Sequence, residues 1–374
     1  MPAFLKREDS GVTVEDLSFK QGPCLLPPDV PVQVDGRPFL PGSSKPGLPK
    51  YCSPPKPLFP CVFEAQKVTE AEPEVQLWAK ALKPTLDEHL AKYGAVLIKG
   101  LPMNSDPVAF SAFMKEMKAE YECEKFMEGR SMTSSAVAED VRTGSDDDPR
   151  YTIEPHNEYN VAAKERPKKL FLVCGEEPKH GCGGEWIISD SRAITEQMEP
   201  TVLNKFKTLE ARYEVYYPPK ATATYNNWEE NIAETKEEAE AYLTRAGCDW
   251  TWNEDDSILI HRNLPAVAEH PQTGEVLWFN QIHAHHATFY KDAHPEFMDH
   301  DESVPYPVHT KYGNGEEIEE ETLNHIREVV WANTVAVPLR LGDLLIVDNY
   351  AALHGRMGFS LDSPRQTFVS ILYE

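Results

Sequence analysis

The segment EPHNEYN, residues 154–160, places an imidazole and a carboxylate two positions apart, at His156 and Glu158. Side chains at positions i and i+2 of a β-strand point to the same face, so these two groups can bind one metal ion. A third ligand is still needed. Two histidines and one carboxylate on one side of an octahedron leave positions open for an organic cosubstrate and dioxygen, as in non-haem Fe(II) oxygenases. In a chain with 13 histidines the pattern alone is weak, so its context decides.

The C-terminal segment GDLLIVDNYAALHGRMGFSLDSPRQTFVSILYE supplies that context. A strand with a buried pattern runs up to His354, and Arg365 stands at the head of the final strand. We expect a histidine at the end of one strand and an arginine on its antiparallel neighbour to face the same cavity. His354 is then the candidate third metal ligand, and Arg365 is a guanidinium fork for a carboxylate.

Five motifs together resemble the taurine dioxygenase and clavaminate synthase-like family of Fe(II)/2-oxoglutarate-dependent oxygenases. They are PHNEYN, CGGEW, VLWFN, GDLLIVDNYAALHGRMGF and SPRQ, and the likeness extends from about residue 56 to the C-terminus. It is strongest to the subgroup that uses glutamate as the carboxylate ligand. The resemblance implies that His156, Glu158 and His354 bind Fe(II) and that Arg365 binds a carboxylate of 2-oxoglutarate, the cosubstrate.

One residue departs from the family pattern. Relatives carry threonine two residues after the Gly-Gly pair, where its hydroxyl helps to hold the cosubstrate, and here GGEW places Trp186 there. An indole N–H donates one hydrogen bond but accepts none, so Arg365 should carry more of the cosubstrate binding.

The resemblance and the local sequence also suggest a substrate pocket. Its candidates are Tyr159, Asn160, Asn280, His283 and Arg356. A turn or strand-end role explains Asn280 equally well, and a surface or ion-pair role explains Arg356 equally well. The HAHH segment, residues 283–286, could also be read as a second metal site, but no carboxylate lies in register with its histidines. A pocket or solvent-facing role is favoured for these histidines.

The elements that must position these residues are mostly strands. Residues 21–60 are proline-rich and predict an extended N-terminal arm without regular elements. Helical spacing of apolar residues from Leu77 to Tyr93 predicts a helix that Gly94 ends and Pro84 could kink. From residue 165 onward short strands dominate, and KKLFLVCGEEP and GEWIISDS read as two strands joined by the KHGCGG turn. We therefore expect a mainly β, α+β fold with a double-stranded β-helix (jelly-roll, cupin-like) core in one domain, residues 61–374, after an arm of residues 1–60.

Composition restricts the function. A formal net charge of −24 and a pI near 5.0 disfavour binding to nucleic acid or to anionic membrane surfaces. Seven scattered cysteines without a CxxC pair indicate reduced thiols, and no apolar run has the length of a signal peptide or a membrane span. A cytoplasmic location is expected, while the oligomeric state is open.

The expected activity is oxidation, by default hydroxylation, of a small polar metabolite such as an amino acid derivative, with dioxygen as the oxidant. Desaturation or cyclisation is an alternative outcome. The carboxylate in the triad argues against halogenation, which needs that coordination position for halide. Two other classes remain open on the same fold: a metal- or small-molecule-binding protein without turnover, and a metal-dependent hydrolase.

Overall fold

The computed structural model describes residues 12–28, 30–34, 48–68, 72, 74–103, 106–118, 135–145, 147–159, 161, 166–223, 226–297, 299–338 and 340–373. The strands in these ranges are β1 (Leu17–Gln21), β2 (Cys61–Lys67), β3 (Ala95–Lys99), β4 (Ala136–Ala138), β5 (Val141–Thr143), β6 (Ile153–His156), β7 (Lys169–Glu176), β8 (Trp186–Asp190), β9 (Ala211–Tyr217), β10 (Asp249–Trp252), β11 (Ile258–Leu264), β12 (Val267–Glu269), β13 (Val276–Trp278), β14 (Val308–Tyr312), β15 (Thr334–Val337), β16 (Leu344–Asp348), β17 (Ala352–Arg356) and β18 (Gln366–Leu372). The α-helices are α1 (Val75–Tyr93), α2 (Pro107–Lys118), α3 (Ser191–Gln197), α4 (Pro200–Leu209), α5 (Trp228–Asn231), α6 (Lys236–Ala246), α7 (Ala287–Ala293) and α8 (Glu320–Ala332).

Two facing sheets form the centre of the molecule. The larger sheet has the strand order β1-β2-β3-β16-β7-β18-β5-β4, and the smaller sheet has the order β15-β8-β17-β6. Along the chain the central strands alternate between them except at β8 and β15, which follow one another in the smaller sheet: β5, β7, β16 and β18 belong to the larger sheet, and β6, β8, β15 and β17 to the smaller sheet. This alternation is a double-stranded β-helix, so the predicted jelly-roll core is confirmed.

Apolar side chains fill the space between the two sheets. Leu97, Leu172 and Val347 from the larger sheet pack with Ile188 and Val335 from the smaller one. Both faces of the larger sheet are buried, which explains why its central strands have continuous apolar sequences such as AVLIK and LLIVD.

Helices α1 and α2 cover the outer face of the larger sheet. Trp78, Leu82 and Leu86 of α1 are buried there. Pro84 lies inside α1 without dividing it, and Gly94 ends the helix in the left-handed conformation at φ 79°. The predicted helix and its glycine cap are confirmed.

The described parts of the N-terminal arm lie on the domain. Strand β1 pairs with β2 and so extends the larger sheet. The arm of residues 21–60 was expected to have no regular elements, yet β1 includes its first residue, Gln21. Val32, Val34 and Cys52 pack against Ile187 and Met357 of the smaller-sheet side. Division into an arm of residues 1–60 and a domain of residues 61–374 stays a prediction.

Two strand connections differ from those expected. β7 and β8 were expected to be neighbours joined by a turn, yet β7 is in the larger sheet and β8 in the smaller one. Likewise the segment before His354 is two strands, β16 and β17, separated by a corner at which the Asp348 carboxylate accepts hydrogen bonds from the backbone N–H groups of Tyr350 and Ala351. The strands of both sheets are buried, so the spacing of apolar residues in the sequence does not show to which sheet each strand belongs.

A third sheet, β10-β11-β9-β14, is inserted between β8 and β15. It carries α7, which places Phe289 and Tyr290 against the central fold. Among the described residues, no helix is long and apolar enough to cross a membrane.

Candidate metal and cosubstrate site

His156, Glu158 and His354 converge between the two sheets. One ligand atom from each lies within 4.8 Å of the others. His354 of β17 pairs directly with His156 of β6, which places their ring centroids 4.5 Å apart. The Nε2 atom of His354 lies 3.4 Å from the Glu158 Oε2 atom. Glu158 itself follows β6 instead of continuing it, so the strand geometry assumed for the His-x-Glu pair applies only to its histidine.

Backbone features of β6 and β17 make this convergence possible. β6 carries a bulge, because its residues from Ile153 to His156 face only the span from Arg356 to His354 on β17. Pro155, which has no N–H to pair, lies within the bulge. Gly355 faces it, and a Cβ atom there would lie 2.5 Å from the Ile153 carbonyl oxygen. Only glycine therefore fits between His354 and Arg356.

Hydrogen bonds orient the His156 ring. Its Nδ1 atom lies 2.8 Å from the Glu154 carbonyl oxygen and donates to it, which leaves Nε2 as the ring nitrogen available to a metal ion. The Glu154 carboxylate is paired with the buried guanidinium of Arg327, with Nε 3.2 Å from Oε1. Arg327 also donates to the Thr288 hydroxyl of α7 over 2.9 Å and to the His283 carbonyl over 3.0 Å. This buried hydrogen-bond network holds Glu154 in place, and the Glu154 carbonyl in turn orients the His156 ring.

Asparagine side chains hold the segment that carries Glu158. The Glu158 N–H donates to Asn349 Oδ1 over 2.7 Å, and Asn349 Nδ2 donates to the Glu158 and Pro167 carbonyls, each over 2.8 Å. Asn157 Nδ2 in turn donates to the Asn349 carbonyl over 2.6 Å. The corner between β16 and β17 is therefore tied directly to the backbone of Glu158.

Electrostatics favours the metal-binding forms of His156 and Glu158. Burial, assisted by the charge of His354, lowers the pKa of His156 to about 4, so its ring is neutral near pH 7. Burial raises the pKa of Glu158, but the hydrogen bond and charge of His354 outweigh this and hold the pKa below its ordinary value. A neutral imidazole and an ionised carboxylate are the forms that bind metal ions.

Arg365 faces the same space from the opposite sheet. Arg365 was expected on the antiparallel neighbour of the His354 strand. It instead precedes β18, which belongs to the larger sheet, whereas His354 is on β17 of the smaller sheet. Its Nε donates to the Gly184 carbonyl over 2.7 Å. Burial, together with the charge of Arg356, lowers the pKa of Arg365 to about 9. A Cβ atom on Gly184 would lie 2.8 Å from the Arg365 Cδ atom, which explains the second glycine of the CGG motif.

The space between these residues is a cavity of about 230 Å³, hereafter the inter-sheet cavity. Its wall includes the triad, Trp186, Arg356 and Arg365, and side chains from a loop and from α7. The loop and α7 residues are Ser145, Asp147, Tyr151, Phe289 and Tyr290. Pockets for drug-sized ligands span about 300–1,000 Å³, so this cavity suits a small metabolite.

Three of the pocket candidates lie elsewhere. The Tyr159 hydroxyl donates to that of Tyr213 within a buried aromatic cluster. Asn280 is fully buried, and its Nδ2 donates to the Ala266 carbonyl over 2.9 Å. His283 is also fully buried and outside the cavity wall, which contains its neighbour His285. HAHH precedes α7 as a turn, where positions i and i+2 do not share a face. Asn160 lies outside the described residues.

His286, His309 and Glu317 form a second cluster of candidate ligands. The His286 Nδ1 atom accepts from the Thr288 N–H, and the His309 Nδ1 atom accepts from the Ala287 N–H. In a neutral ring the proton then lies on Nε2, and the Nε2 atom of His309 donates it to Glu317 over 2.8 Å. These hydrogen bonds make the cluster a cap at the start of α7, and the triad is the better metal site.

Sequence reasoning missed the supporting residues. Arg327 and Thr288 carry no motif of their own, and they become recognisable only through the hydrogen bonds that link them to Glu154, the residue whose carbonyl orients His156. Asn157 lies within the EPHNEYN segment, but its bond to the Asn349 carbonyl is visible only in the fold. Asn349 had a detectable signal, because it stands in the quoted IVDNYAALH segment shortly before His354.

Comparison with known proteins gives one family. The family model described as "Taurine catabolism dioxygenase TauD, TfdA family" matches residues 55–371. The dapdiamide synthesis protein DdaC of Enterobacter agglomerans is 28% identical over 73% of this chain and 81% of its own length. A clavaminate synthase-like protein of Arabidopsis thaliana is 27% identical over 78% of this chain and 85% of its own length.

Solved structures with detectable likeness include PvcB of Pseudomonas aeruginosa and a taurine dioxygenase of Burkholderia xenovorans. PvcB is 14% identical with a TM-score of 0.46, and the match covers 100% of this chain and 94% of PvcB. The Burkholderia protein is 15% identical with a TM-score of 0.43, and the match covers 83% of this chain and 85% of that protein.

Proposed function

Since the chain belongs to the taurine catabolism dioxygenase TauD, TfdA family, we propose that His156, Glu158 and His354 hold the iron of an Fe(II)/2-oxoglutarate-dependent oxygenase. The enzyme uses Fe(II) as its metal and 2-oxoglutarate as its cosubstrate. The observation that carries the proposal is the convergence of two imidazoles and one carboxylate, within 4.8 Å, at a cavity that also contains an arginine facing them from the other sheet.

The donor set fits Fe(II). Two imidazoles and one carboxylate form the three-ligand arrangement that leaves coordination positions open. The hydrogen bond from His156 Nδ1 to the Glu154 carbonyl leaves Nε2 available, and the Asn349 amide fixes the backbone at Glu158. When bound, the iron supplies the activation of dioxygen that is coupled to decarboxylation of 2-oxoglutarate. The protein orients the ligands and surrounds them with the apolar side chains between the sheets.

Arg365 is the proposed partner of a 2-oxoglutarate carboxylate. Its Nε is committed to the Gly184 carbonyl, so the terminal nitrogens are the part of the fork that can meet a carboxylate. Trp186 lies on the cavity wall beside it, where the family has a threonine hydroxyl. The indole offers that carboxylate at most one N–H donor and no charge, which leaves charge pairing with Arg365 as its main contact.

The proposed reaction is hydroxylation of a small polar metabolite. The cavity of about 230 Å³ limits the size of the substrate, and of the predicted pocket residues that the structure describes, Arg356 alone lies on its wall. A cytoplasmic location is part of the proposal. The six described cysteines are free thiols, which supports a reducing compartment.

Anaerobic titration tests metal and cosubstrate together. Fe(II) is added to metal-free protein with 2-oxoglutarate, and the weak visible charge-transfer band of the chelate is followed. We expect the band in the wild type, its loss in His156→Ala, and a need for about 10- to 100-fold more 2-oxoglutarate in Arg365→Gln, the usual effect of losing a hydrogen bond to a charged group. Arg245→Gln, a change at an exposed arginine of α6, is the matched control.

The outcomes separate the competing functions. Iron binding without a band at any 2-oxoglutarate concentration would reject the oxygenase and favour a binding protein in which Trp186 fills the cosubstrate position. Turnover supported by zinc and indifferent to dioxygen would favour a hydrolase. Succinate formation that requires Fe(II), 2-oxoglutarate and dioxygen would support the proposal.

A further inference from the structure

Arg356 places a buried guanidinium on the wall of the inter-sheet cavity. Only 4% of the residue is exposed. Its Nη2 donates to the backbone carbonyls of Asp148 and Tyr151 over 3.1 and 3.3 Å, and its Nε atom is buried with no partner in the described part of the chain. No carboxylate of the described residues forms an ion pair with it. A buried cation is normally paired, so an unpaired guanidinium on a cavity wall indicates an anion that is supplied by a ligand.

Neighbouring acids do not neutralise this charge by contact. The Asp148 carboxylate is committed to Arg150, whose Nε lies 2.9 Å from Oδ1. Asp147 also lines the inter-sheet cavity, and its carboxylate accepts from the Ser145 hydroxyl over 2.8 Å. Both acids favour the charged form of Arg356 through space, although burial still lowers the pKa of its guanidinium.

The position of Arg356 relates it to the metal site. It stands two residues after His354 on β17, so both side chains face the inter-sheet cavity. Residues i and i+2 of a strand are roughly 7 Å apart at their Cα atoms. A ligand that pairs with Arg356 therefore has its anionic group within the length of a small metabolite from the iron ligands.

Arg356 and Arg365 are held by different walls. Arg365 precedes β18 and is fixed to Gly184, whereas Arg356 is on β17 and is fixed to the loop at Asp148 and Tyr151. In the proposed oxygenase, two charges of 2-oxoglutarate and one of Glu158 balance the Fe(II) ion and Arg365. The positive charge of Arg356 is not balanced by any of these groups, so it is available to pair with an anionic group of the substrate.

We propose that Arg356 binds a carboxylate of the primary substrate, so that the enzyme oxidises a small carboxylic acid at a carbon close to its carboxylate. This inference rests on the proposed function, because it assigns 2-oxoglutarate to Arg365. It makes Arg356 the residue that selects acids over their neutral amides.

Matched pairs of an acid and its amide test the inference. The Fe(II)-2-oxoglutarate complex is titrated anaerobically with propionate against propionamide, β-alanine against β-alaninamide, and ethanesulfonate against ethanesulfonamide, and the shift of the charge-transfer band reports binding. In the wild type we expect the carboxylates to bind at least about 10-fold more tightly than the amides, because the amides cannot form a charge-assisted pair. Preference for ethanesulfonate over both carboxylates would overturn the assignment to a carboxylate.

Variants locate the effect at Arg356. Arg356→Gln should weaken carboxylate binding about 10- to 100-fold and remove the preference over amides, while the band still forms with 2-oxoglutarate. Arg356→Lys, which retains the charge, should keep part of the preference and guards against a folding defect in the glutamine variant. Arg245→Gln is again the control.

Three further results would overturn the inference. They are acids and amides that bind alike or fail to bind, unchanged acid binding in Arg356→Gln, and a 2-oxoglutarate requirement that rises in Arg356→Gln as much as in Arg365→Gln. The last result would mean that both arginines hold the cosubstrate. Absence of the band in the wild type would instead reject the proposed function. Calorimetry of the same pairs with metal-free Arg365→Gln protein would then still show whether Arg356 selects acids.

Discussion

Gly184 shows how a single missing side chain places a charged group. Its φ is 84°, and a Cβ atom there would lie 2.8 Å from Arg365 Cδ and 3.1 Å from Arg365 Nε. Gly184→Ala should therefore lower the stability by about 1–2 kcal/mol through backbone strain and also displace Arg365. We expect several-fold more 2-oxoglutarate to be needed for half of the charge-transfer band.

Gly181 provides the matched control for this change. Its φ is 79°, and a Cβ atom at this position would have no described atom within 4 Å. Gly181→Ala should thus cost similar stability, measured by urea unfolding, without changing the 2-oxoglutarate requirement. An equal change in both variants would show that backbone strain alone, and not the Arg365 contact, sets cosubstrate binding.

At the scale of elements, the corner between β16 and β17 positions Glu158, the proposed carboxylate ligand. The Asn349 side chain accepts a hydrogen bond from the Glu158 N–H and donates one to the Glu158 carbonyl. Asn349→Ala removes these bonds, so we expect weaker Fe(II) binding in the presence of 2-oxoglutarate as well as lower stability. Asn333→Ala removes a buried asparagine that bonds Gln197 and Val329, and it should lower stability while leaving Fe(II) affinity unchanged. Comparable loss of Fe(II) affinity in both would contradict a specific role for Asn349.

A second connection between elements is the buried pair of Arg327 on α8 and Glu154 on β6. Arg327→Leu removes the guanidinium from its ion pair with the buried Glu154 carboxylate and should destabilise the protein by about 3–5 kcal/mol. Adding Glu154→Gln removes the buried negative charge, so the double variant should recover part of that loss. Chemical unfolding of the two single variants and the double variant measures this coupling, and strictly additive losses would refute it.

The local elements could be predicted from sequence, whereas their partners could not. The spacing of Leu82, Leu86 and Leu90 defines α1, and the apolar run before His354 indicates buried strands. Which sheet receives each strand is decided by corners such as the one at Asp348, which leave no periodic signal. In the same way, the triad residues could be proposed from their sequence motifs. The pairing of Arg327 with Glu154 and the position of Tyr159 outside the cavity wall became visible only in the fold.

For the whole molecule, buried histidines predict the direction of the pH dependence. Burial lowers the pKa of His286 to about 3 and that of His294 to about 4, and it holds that of His283 well below its usual range. An unfolded chain takes up protons at these rings near pH 6.5, whereas the folded chain does not. The free energy of unfolding of the metal-free protein should therefore fall as the pH decreases from about 6.5 towards 4.

Urea unfolding in the presence of a chelator, between about pH 7 and 5.5, measures this slope above the range in which ordinary carboxylates protonate. His286→Asn retains a side chain that can cap α7 and removes one of the buried rings, so its slope should be shallower. A stability that stays constant or rises over this range would contradict the prediction.

The alternation of strands between the two sheets also determines when the proposed iron site can first form. His156 and Glu158 are translated long before His354, because β7 to β16 and the whole inserted sheet lie between them. A chain still on the ribosome therefore offers only two donors until β17 has emerged and paired with β6. We expect iron loading to be one of the last events of maturation, so that a nascent chain neither captures the wrong divalent ion tightly nor begins uncoupled oxidation.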